Sequence, residues 1–153
     1  MSTKHEYLEK YPAHSEVVRI AQAIAGKEKT SEALVKKIGS IVRGAFNEVI
    51  DMPRTYRWSI DQLEKTEKTY IGTKVEIMFR HGMSLERGKR LDLSVDGTDV
   101  DVKFTMGSNW TIPPEAFDEH CVLLSGNDEL STFKFGVFWA KPEFLNKGKN
   151  RDG

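Results

Sequence analysis

The first part of the chain carries apolar residues at helical spacing. They recur every three or four positions in residues 15–25, and again between Thr30 and Pro53. Ser15 can cap the first of these segments, and proline ends the second because it cannot continue a helix. The pattern therefore predicts two N-terminal helices within residues 15–50.

A third amphipathic segment runs from Ser59 to about Arg80. We expect a helix with Ser59 as its N-cap and Asp61 in its first turn. The five residues 75–79 fit a strand as well, because the hydrophobic period does not separate the two in so short a run. Gly72, in mid-helix, costs about 1 kcal/mol relative to alanine, so we expect something to approach the backbone closely there.

Residues 89–104 show the pattern of a β-hairpin. Two runs of alternating apolar and polar residues flank the Asp96-Gly97 pair, which is typical of a two-residue type I′ turn. In that register Leu93 faces Val100, and the apolar side chains of both strands share one face.

The polar face of this hairpin is expected to bring two carboxylates together. Asp92 falls directly across from Asp101, and Lys103 points to the same side. Like charges in directly opposed positions are destabilising, so the pair favours a hard divalent cation such as Mg²⁺ between them. The alternative is an ordinary solvated strand face, which the hairpin taken alone favours.

Glu76 is a further acidic residue of interest because its sequence neighbours are apolar. A carboxylate in such surroundings usually has a charged partner or a metal ion. The alternative is an ion pair with Lys68 or Arg80 on the same helix.

The rest of the chain predicts a sheet. Residues 120–124 and 132–140 have the composition of strands, and residues 110–117 read as a loop leading into a short helix. Together with the hairpin they predict a four-stranded, largely antiparallel sheet that follows the helices. The fold class expected is α+β, or a small three-layer sandwich.

Composition narrows the choice of function only slightly. The chain has 153 residues, enough for one domain, and a formal net charge of zero, so any basic surface must be local. The single cysteine, Cys121, excludes an internal disulfide and is expected to be a buried thiol. No apolar run approaches membrane-spanning length, and we expect a cytoplasmic protein without membrane association.

A longer motif carries a family resemblance. Residues 65–77 (KTEKTYIGTKVEI) are followed by Leu91-Asp92, then by the strand segment 100–104 (VDVKF), then by residues 110–115 (WTIPPE). In order and spacing, the stretch from about residue 56 to 152 resembles the endonuclease domain of the NaeI-type restriction enzymes, within the PD-(D/E)xK nuclease superfamily. The family's metal-site acids correspond to Glu76, Asp92 and Asp101, and its catalytic lysine to Lys103.

This resemblance implies a type II site-specific endonuclease that cuts both strands of double-stranded DNA as a homodimer, using Mg²⁺. It also implies a restriction-endonuclease-like mixed sheet flanked by helices, an α/β/α-like variant of the α+β class. We expect residues 1–145 to form the endonuclease domain, with helices in 15–50 and a catalytic core in 56–140. Residues 146–153 are expected to be a tail, or the start of a linker to an absent C-terminal DNA-binding domain.

Residues near the expected metal site are candidates for DNA contacts. They combine positive charge or hydroxyl and amide groups with sequence positions close to the acids: Lys65, Lys68, Thr69, Lys74, Ser108 and Asn109. Two other functions stay open. The chain could be a DNA-binding module with a dormant nuclease site, or a strand-nicking endonuclease similar to those of mismatch repair.

Overall fold

The structure, a computed structural model, describes residues 15–142 and residue 145. The expected tail at 146–153 lies outside the described residues. The helices and single turns of 3-10 helix are α1 (Ser15–Ala25), α2 (Ser31–Ile50), α3 (Met52–Thr55), a 3-10 turn (Ile60–Gln62), α4 (Lys65–Gly82) and a second 3-10 turn (Pro114–Ala116). None of the helices in the described ranges combines the length and the apolar character needed to cross a membrane.

Five strands form one mixed sheet in sequence order, and its strands are β1 (Glu86–Arg87), β2 (Leu93–Val95), β3 (Thr98–Thr105), β4 (His120–Asn127) and β5 (Thr132–Trp139). All neighbours are antiparallel except β3 and β4, which run parallel. The expected α+β class and the largely antiparallel pairing are confirmed, but the sheet has five strands where four were expected, and β3 pairs with β4 in parallel. Residues 106–119 lead from the end of β3 back to the start of β4, which allows these two strands to run parallel. The sequence pattern did not predict β1, because a strand of two residues is too short to show a hydrophobic period.

The main core lies between the helices and one face of the sheet. Buried side chains of α1, α2 and α4, such as Ile20, Phe46 and Phe79, pack against the inward residues of the strands, such as Val102 and Val122. A smaller cluster on the other face joins the 106–119 connection to β4 and β5, and it contains Ala116, Cys121 and Ala140. The expected burial of the cysteine is therefore confirmed.

From Leu93 to Val100 the hairpin has the register expected from the alternation, but β2 begins only at Leu93, so Asp92 is not paired across from Asp101 in the sheet as expected. Leu93 pairs with Val100, and Asp96 and Gly97 both have positive φ angles (51° and 82°), as a type I′ turn requires. The two core-facing strand residues are fully buried. The alternation and the turn therefore set the strand pairing locally.

The third predicted helix begins later than expected. Ser59 accepts a hydrogen bond from the Asp61 backbone N–H (3.3 Å), but it caps only a 3-10 turn. Leu63 is buried in an extended conformation, which separates that turn from α4. The start at Ser59 is thus wrong. Residues 75–79 are helical, because Val75 and Phe79, one helical turn apart, both enter the core.

Arg57 joins the end of α2 to the start of α4. Its guanidinium donates to both carboxylate oxygens of Glu67 (2.7 and 2.8 Å) and to the carbonyls of Val49 and Ile50 (both 3.1 Å). The same carboxylate accepts the Glu64 backbone N–H at the N-terminus of α4 (3.0 Å). The pair with Arg57 lowers the pKa of Glu67 to about 2. Glu67, which lies within the KTEKT motif of residues 65–69, thus has a structural role: it positions α4.

Gly126→Ala tests the packing of the sheet against α2. A Cβ at Gly126 would lie 2.7 Å from a methyl group of Val42 and 3.0 Å from the ring of Phe46. We expect a loss of about 1–3 kcal/mol in the free energy of unfolding, because inserting a methyl group into a packed core forces its neighbours apart.

Gly72→Ala is the matched comparison. No atom of the described residues lies within 4 Å of a Cβ placed there, so the described part of the chain does not make the close approach expected at Gly72. We expect this substitution to stabilise the protein by about 0.5–1 kcal/mol. Urea unfolding of both variants measures the difference; equal stabilities would contradict the packing described.

Candidate active site

Three separate segments bring the four predicted site residues to one region. Glu76 lies on α4, Asp92 immediately precedes β2, and Asp101 and Lys103 lie two residues apart on β3, so they point to the same face of the sheet. Glu76 and Asp92 line a common cleft of about 310 Å³. The charges of Asp92, Asp101 and Lys103 all act on the pKa of Glu76, and the three carboxylates all act on the pKa of Lys103, so the four groups are close in space.

Asp92 and Asp101 are held together although their charges repel. Asp92 Oδ2 accepts the backbone N–H of Val102 at 2.8 Å, which ties the segment before β2 to the middle of β3. The two carboxyl groups lie within hydrogen-bonding reach of each other. Burial, and then the contact with Asp92, raise the pKa of Asp101 above its usual value. In the metal-free protein Asp101 therefore takes up a proton more readily than an ordinary aspartate.

Lys103 partly balances these carboxylates. Its Nζ lies 3.0 Å from Asp101 Oδ2, an ion pair in which the angles do not make a hydrogen bond. Burial alone would lower the pKa of the ammonium group. The contact with Asp101 and the negative charges of Glu76 and Asp92 outweigh burial, and the pKa of Lys103 lies above its ordinary value. The side chain is thus a permanent positive charge near neutral pH and a poor general base.

Glu76 has a carboxyl group that protonates near neutral pH. Burial is the main cause and the charge of Asp92 adds to it, while Lys103 opposes them, and together they raise the pKa of Glu76 to about 7. Among the described residues Glu76 makes no ion pair with Lys68 or Arg80, so that alternative interpretation is not supported. Glu76 instead lines the cleft together with Asp92.

The donor atoms suit a hard divalent cation. Asp101 Oδ2 is buried and accepts no hydrogen bond within the described residues, and a second carboxylate lies beside it. Mg²⁺ commonly uses one or two carboxylates and completes its coordination with water and substrate phosphate. Across residues 15–142, however, no three His, Cys, Asp or Glu side chains are grouped closely enough to form a metal site by themselves. The chain fits an ion held by two aspartates, and Glu76 as a third ligand stays a prediction.

The predicted DNA-contact residues of α4 divide into two sets. Lys65 and Thr69 are exposed and lie on the same side of the helix as Glu76, by helical spacing. Lys68 is half-buried toward the edge of that side. Lys74 lies on the opposite side of α4, where it forms an ion pair with Glu48 of α2 (2.8 Å). The structure therefore does not bring Lys74 to the acids.

Ser108 and Asn109 are exposed on the connection between β3 and β4. This connection leaves the end of β3 a few residues after Lys103, so both residues follow directly from the strand that carries half of the site. Their contact with DNA stays a prediction.

Sequence reasoning missed the basic side of the cleft. Besides the two acids, its lining includes Arg80, Arg87, Lys89 and Arg90. Arg90 forms an ion pair with Glu119 (2.8 Å). The clustering of three cations within residues 87–90 was a visible signal, but only the folded structure shows that they face the acids.

Comparison with known proteins supplies an independent result. Residues 18–153 match the family model described as restriction endonuclease NaeI. The chain is 34% identical over 117 residues to the type II restriction enzyme NaeI of Lentzea aerocolonigenes. That alignment covers 76% of this chain and 37% of the relative, so the chain spans little more than a third of the relative's length.

The raised pKa of Glu76 predicts a pH-dependent stability in the metal-free protein. The folded state binds the proton more tightly than the unfolded chain, so Glu76 stabilises the fold below about pH 4.5, and this contribution is lost as pH rises through about 7. Because the side chain keeps some solvent contact, we expect a change of about 1 kcal/mol rather than the full value for such a shift.

Urea unfolding in EDTA between pH 5 and 8 measures this effect for wild type and Glu76→Gln. The variant should lose much of the slope in this range, whereas Glu129→Gln, at an exposed turn position, should keep it. Identical slopes in wild type and Glu76→Gln would show that this carboxyl group is not desolvated.

Proposed function

Because this chain belongs to the NaeI family of restriction endonucleases, we propose that it is a magnesium-dependent, site-specific endonuclease that hydrolyses phosphodiester bonds of double-stranded DNA. The observation that carries the proposal is the meeting of Asp92, Asp101 and Lys103 beside a cleft that Glu76 also lines. The chain spans only 37% of the relative's length, so the activity in the relative's name is a proposal for this chain.

The two aspartates would hold the divalent cation. Asp101 supplies a buried oxygen that accepts no hydrogen bond within the described residues. Asp92 is held in place because its Oδ2 accepts the backbone N–H of Val102. Glu76 would complete the site, because a bound cation would favour its charged form. When bound, the ion would neutralise charge on the phosphate and lower the pKa of a water molecule.

Lys103 would act on the phosphate through its charge. Hydrolysis joins a water oxygen to phosphorus and breaks the bond to the leaving sugar oxygen, so negative charge increases on the phosphate oxygens. An ammonium group fixed at the site stabilises that charge without first having to reorient. Asp101 holds Lys103 in position at 3.0 Å, and the raised pKa of the lysine keeps it protonated.

The path of the DNA would follow the exposed side of α4. Lys65 and Thr69 precede Glu76 on that side, and Gly72 between them leaves open space beside the helix. From Lys65 to Glu76 the helix rises roughly 16 Å, enough to run beside two or three phosphates of one strand. Lys68, and Ser108 and Asn109 on the 106–119 connection, are further candidate contacts.

Cutting both strands of a duplex requires two such sites. Each chain has one set of acids in its described residues, so we propose that two copies act together as a homodimer on a symmetric target.

One observation favours a second candidate function, that of a DNA-binding module with a dormant nuclease site. Within residues 15–142 no three ligand side chains are grouped as a ready metal centre. The chain could therefore bind duplex DNA without cutting it. Tight binding in calcium, with no cleavage in magnesium, would support this second candidate.

The decisive experiment is cleavage of a plasmid library of varied sequence in magnesium, with the product ends sequenced. We expect supercoiled DNA to become linear at one short recurrent sequence, and EDTA to abolish the reaction. Nicked circles without linear product would indicate a strand-nicking enzyme instead. DNA left intact by the wild type, across the whole library, would reject the proposed function.

Substitutions at the site predict a separation of binding from cleavage. Asp101→Asn removes a carboxylate that would hold the cation, and Lys103→Met removes the positive charge that would stabilise the transition state. Each should lower the cleavage rate by a factor of about 100 or more. Binding of duplex DNA in calcium should change far less. Lys134→Met is the matched control, since Lys134 is an exposed lysine in register with Ser125, on the same face of the sheet as Lys103. A control as inactive as Lys103→Met would contradict the assignment.

A further inference from the structure

The segment 87–92, made of the last residue of β1 and the loop that leads to β2, lies along one side of the cleft. The carboxylate of Asp99, on β3, accepts three consecutive backbone N–H groups of this loop, those of Lys89 (3.1 Å), Arg90 (2.8 Å) and Leu91 (3.3 Å). These bonds lower the pKa of Asp99 and occupy both of its oxygens. Asp99 therefore fixes the backbone of the loop and is not available as a metal ligand.

The loop is also compact at Gly88. A Cβ at this position would lie 2.4 Å from the carbonyl oxygen of Leu91 and 2.6 Å from that of Leu93. Only a glycine allows the backbone to approach itself so closely here. The loop is thus held on two sides, by the Asp99 carboxylate and by its own backbone.

The side chains that flank Gly88 are unpaired cations. Arg87 and Lys89 both line the cleft, both are exposed, and neither makes an ion pair with any residue in the described part of the chain. Arg90 differs, because its guanidinium is engaged by Glu119. The fold therefore uses several backbone hydrogen bonds to present two free positive charges beside the acids.

The negative charge of the site explains why cations beside it would help DNA to bind. Glu76, Asp92 and Asp101 would repel a DNA phosphate entering the cleft, and the ammonium of Lys103 is already paired with Asp101. We propose that Arg87 and Lys89 bind backbone phosphates of duplex DNA next to the phosphate that is cut, with Asp99 as the positioning residue of their loop. This inference rests on the proposed endonuclease function, which requires DNA in this cleft.

The double variant Arg87→Gln/Lys89→Gln tests the binding of phosphates. Such binding is independent of base sequence, so the probe is a pool of 20-base-pair duplexes of random sequence, with calcium present to prevent cleavage. We expect affinity to fall by about tenfold or more, and the slope of log K against log [salt] to become shallower by about two, one for each phosphate that is no longer neutralised. Fluorescence anisotropy at several salt concentrations measures both quantities.

Lys29→Gln/Lys36→Gln is the matched control. It removes two exposed lysines that do not line the cleft, and it should leave both the affinity and the slope near those of wild type. Thermal unfolding confirms that each variant is folded. An equal decrease of slope in the two double variants would mean that the attraction is diffuse electrostatics, and it would overturn the inference.

Asp99→Ala tests the positioning role through the sign of its effect. Removing a negative charge near bound DNA ordinarily strengthens binding. If Asp99 positions the loop, Asp99→Ala should instead weaken DNA binding. Without the three hydrogen bonds the loop would become ordered only when DNA binds, and the loss of conformational entropy would reduce the affinity. Asp99→Asn retains an oxygen acceptor and should recover part of the affinity. Stronger binding by Asp99→Ala would overturn the positioning role.

The two proposals fail in different ways. If the wild type cleaves DNA and Arg87→Gln/Lys89→Gln binds with unchanged affinity and slope, the proposed phosphate binding is wrong and the nuclease function stands. If the wild type does not cleave, but its DNA affinity depends on Arg87 and Lys89, the phosphate binding stands and the nuclease function is wrong.

Discussion

The enforced proximity of two carboxylates is the constraint on which the site depends. Asp92 and Asp101 lie within hydrogen-bonding reach of each other, although burial and the contact with Asp92 both oppose the ionisation of Asp101. The hairpin between them overcomes this opposition with four core-facing side chains and the Val102–Asp92 hydrogen bond. Stability of the sheet thus maintains an arrangement that is electrostatically unfavourable until a cation binds, which is a common property of metal sites before they are loaded.

The rest of the fold holds α4 in a fixed position beside Asp92 and Asp101. Arg57 and Glu67 join the end of α2 to the first turn of α4, and the buried stripe of α4 packs against β3. Glu76 directly follows the buried Val75 and is carried toward the aspartates by that packing. Glu67, in the first turn of α4, therefore contributes to the site without contacting it, because it fixes the position of the helix that carries Glu76.

Charge in the cleft is arranged asymmetrically. Glu76 lies on α4 and Asp92 immediately precedes β2. The exposed cations Arg87 and Lys89 lie at the start of the 87–92 segment, whose backbone is fixed by Asp99. A formal net charge of zero for the whole chain conceals this local separation. For a protein whose proposed substrate is a polyanion, the local pattern of charge matters more than the net charge, because exposed charges further apart than about 8 Å are largely screened at physiological salt.

The sequence by itself determined the features that depend on near neighbours: the limits of α1, the hairpin turn at Asp96-Gly97, and the register that pairs Leu93 with Val100. The helical spacing of apolar residues specifies α1, and a two-residue period with a turn specifies the hairpin. The start of α4 was misplaced, because Ser59 caps a short turn and the buried Leu63 interrupts the helix, which depends on tertiary packing. Only the tertiary structure decided the parallel pairing of β3 with β4, the separation of Lys74 from the acids, and the position of Arg87 and Lys89 beside them. These features join segments far apart in the chain, and no local period records such contacts.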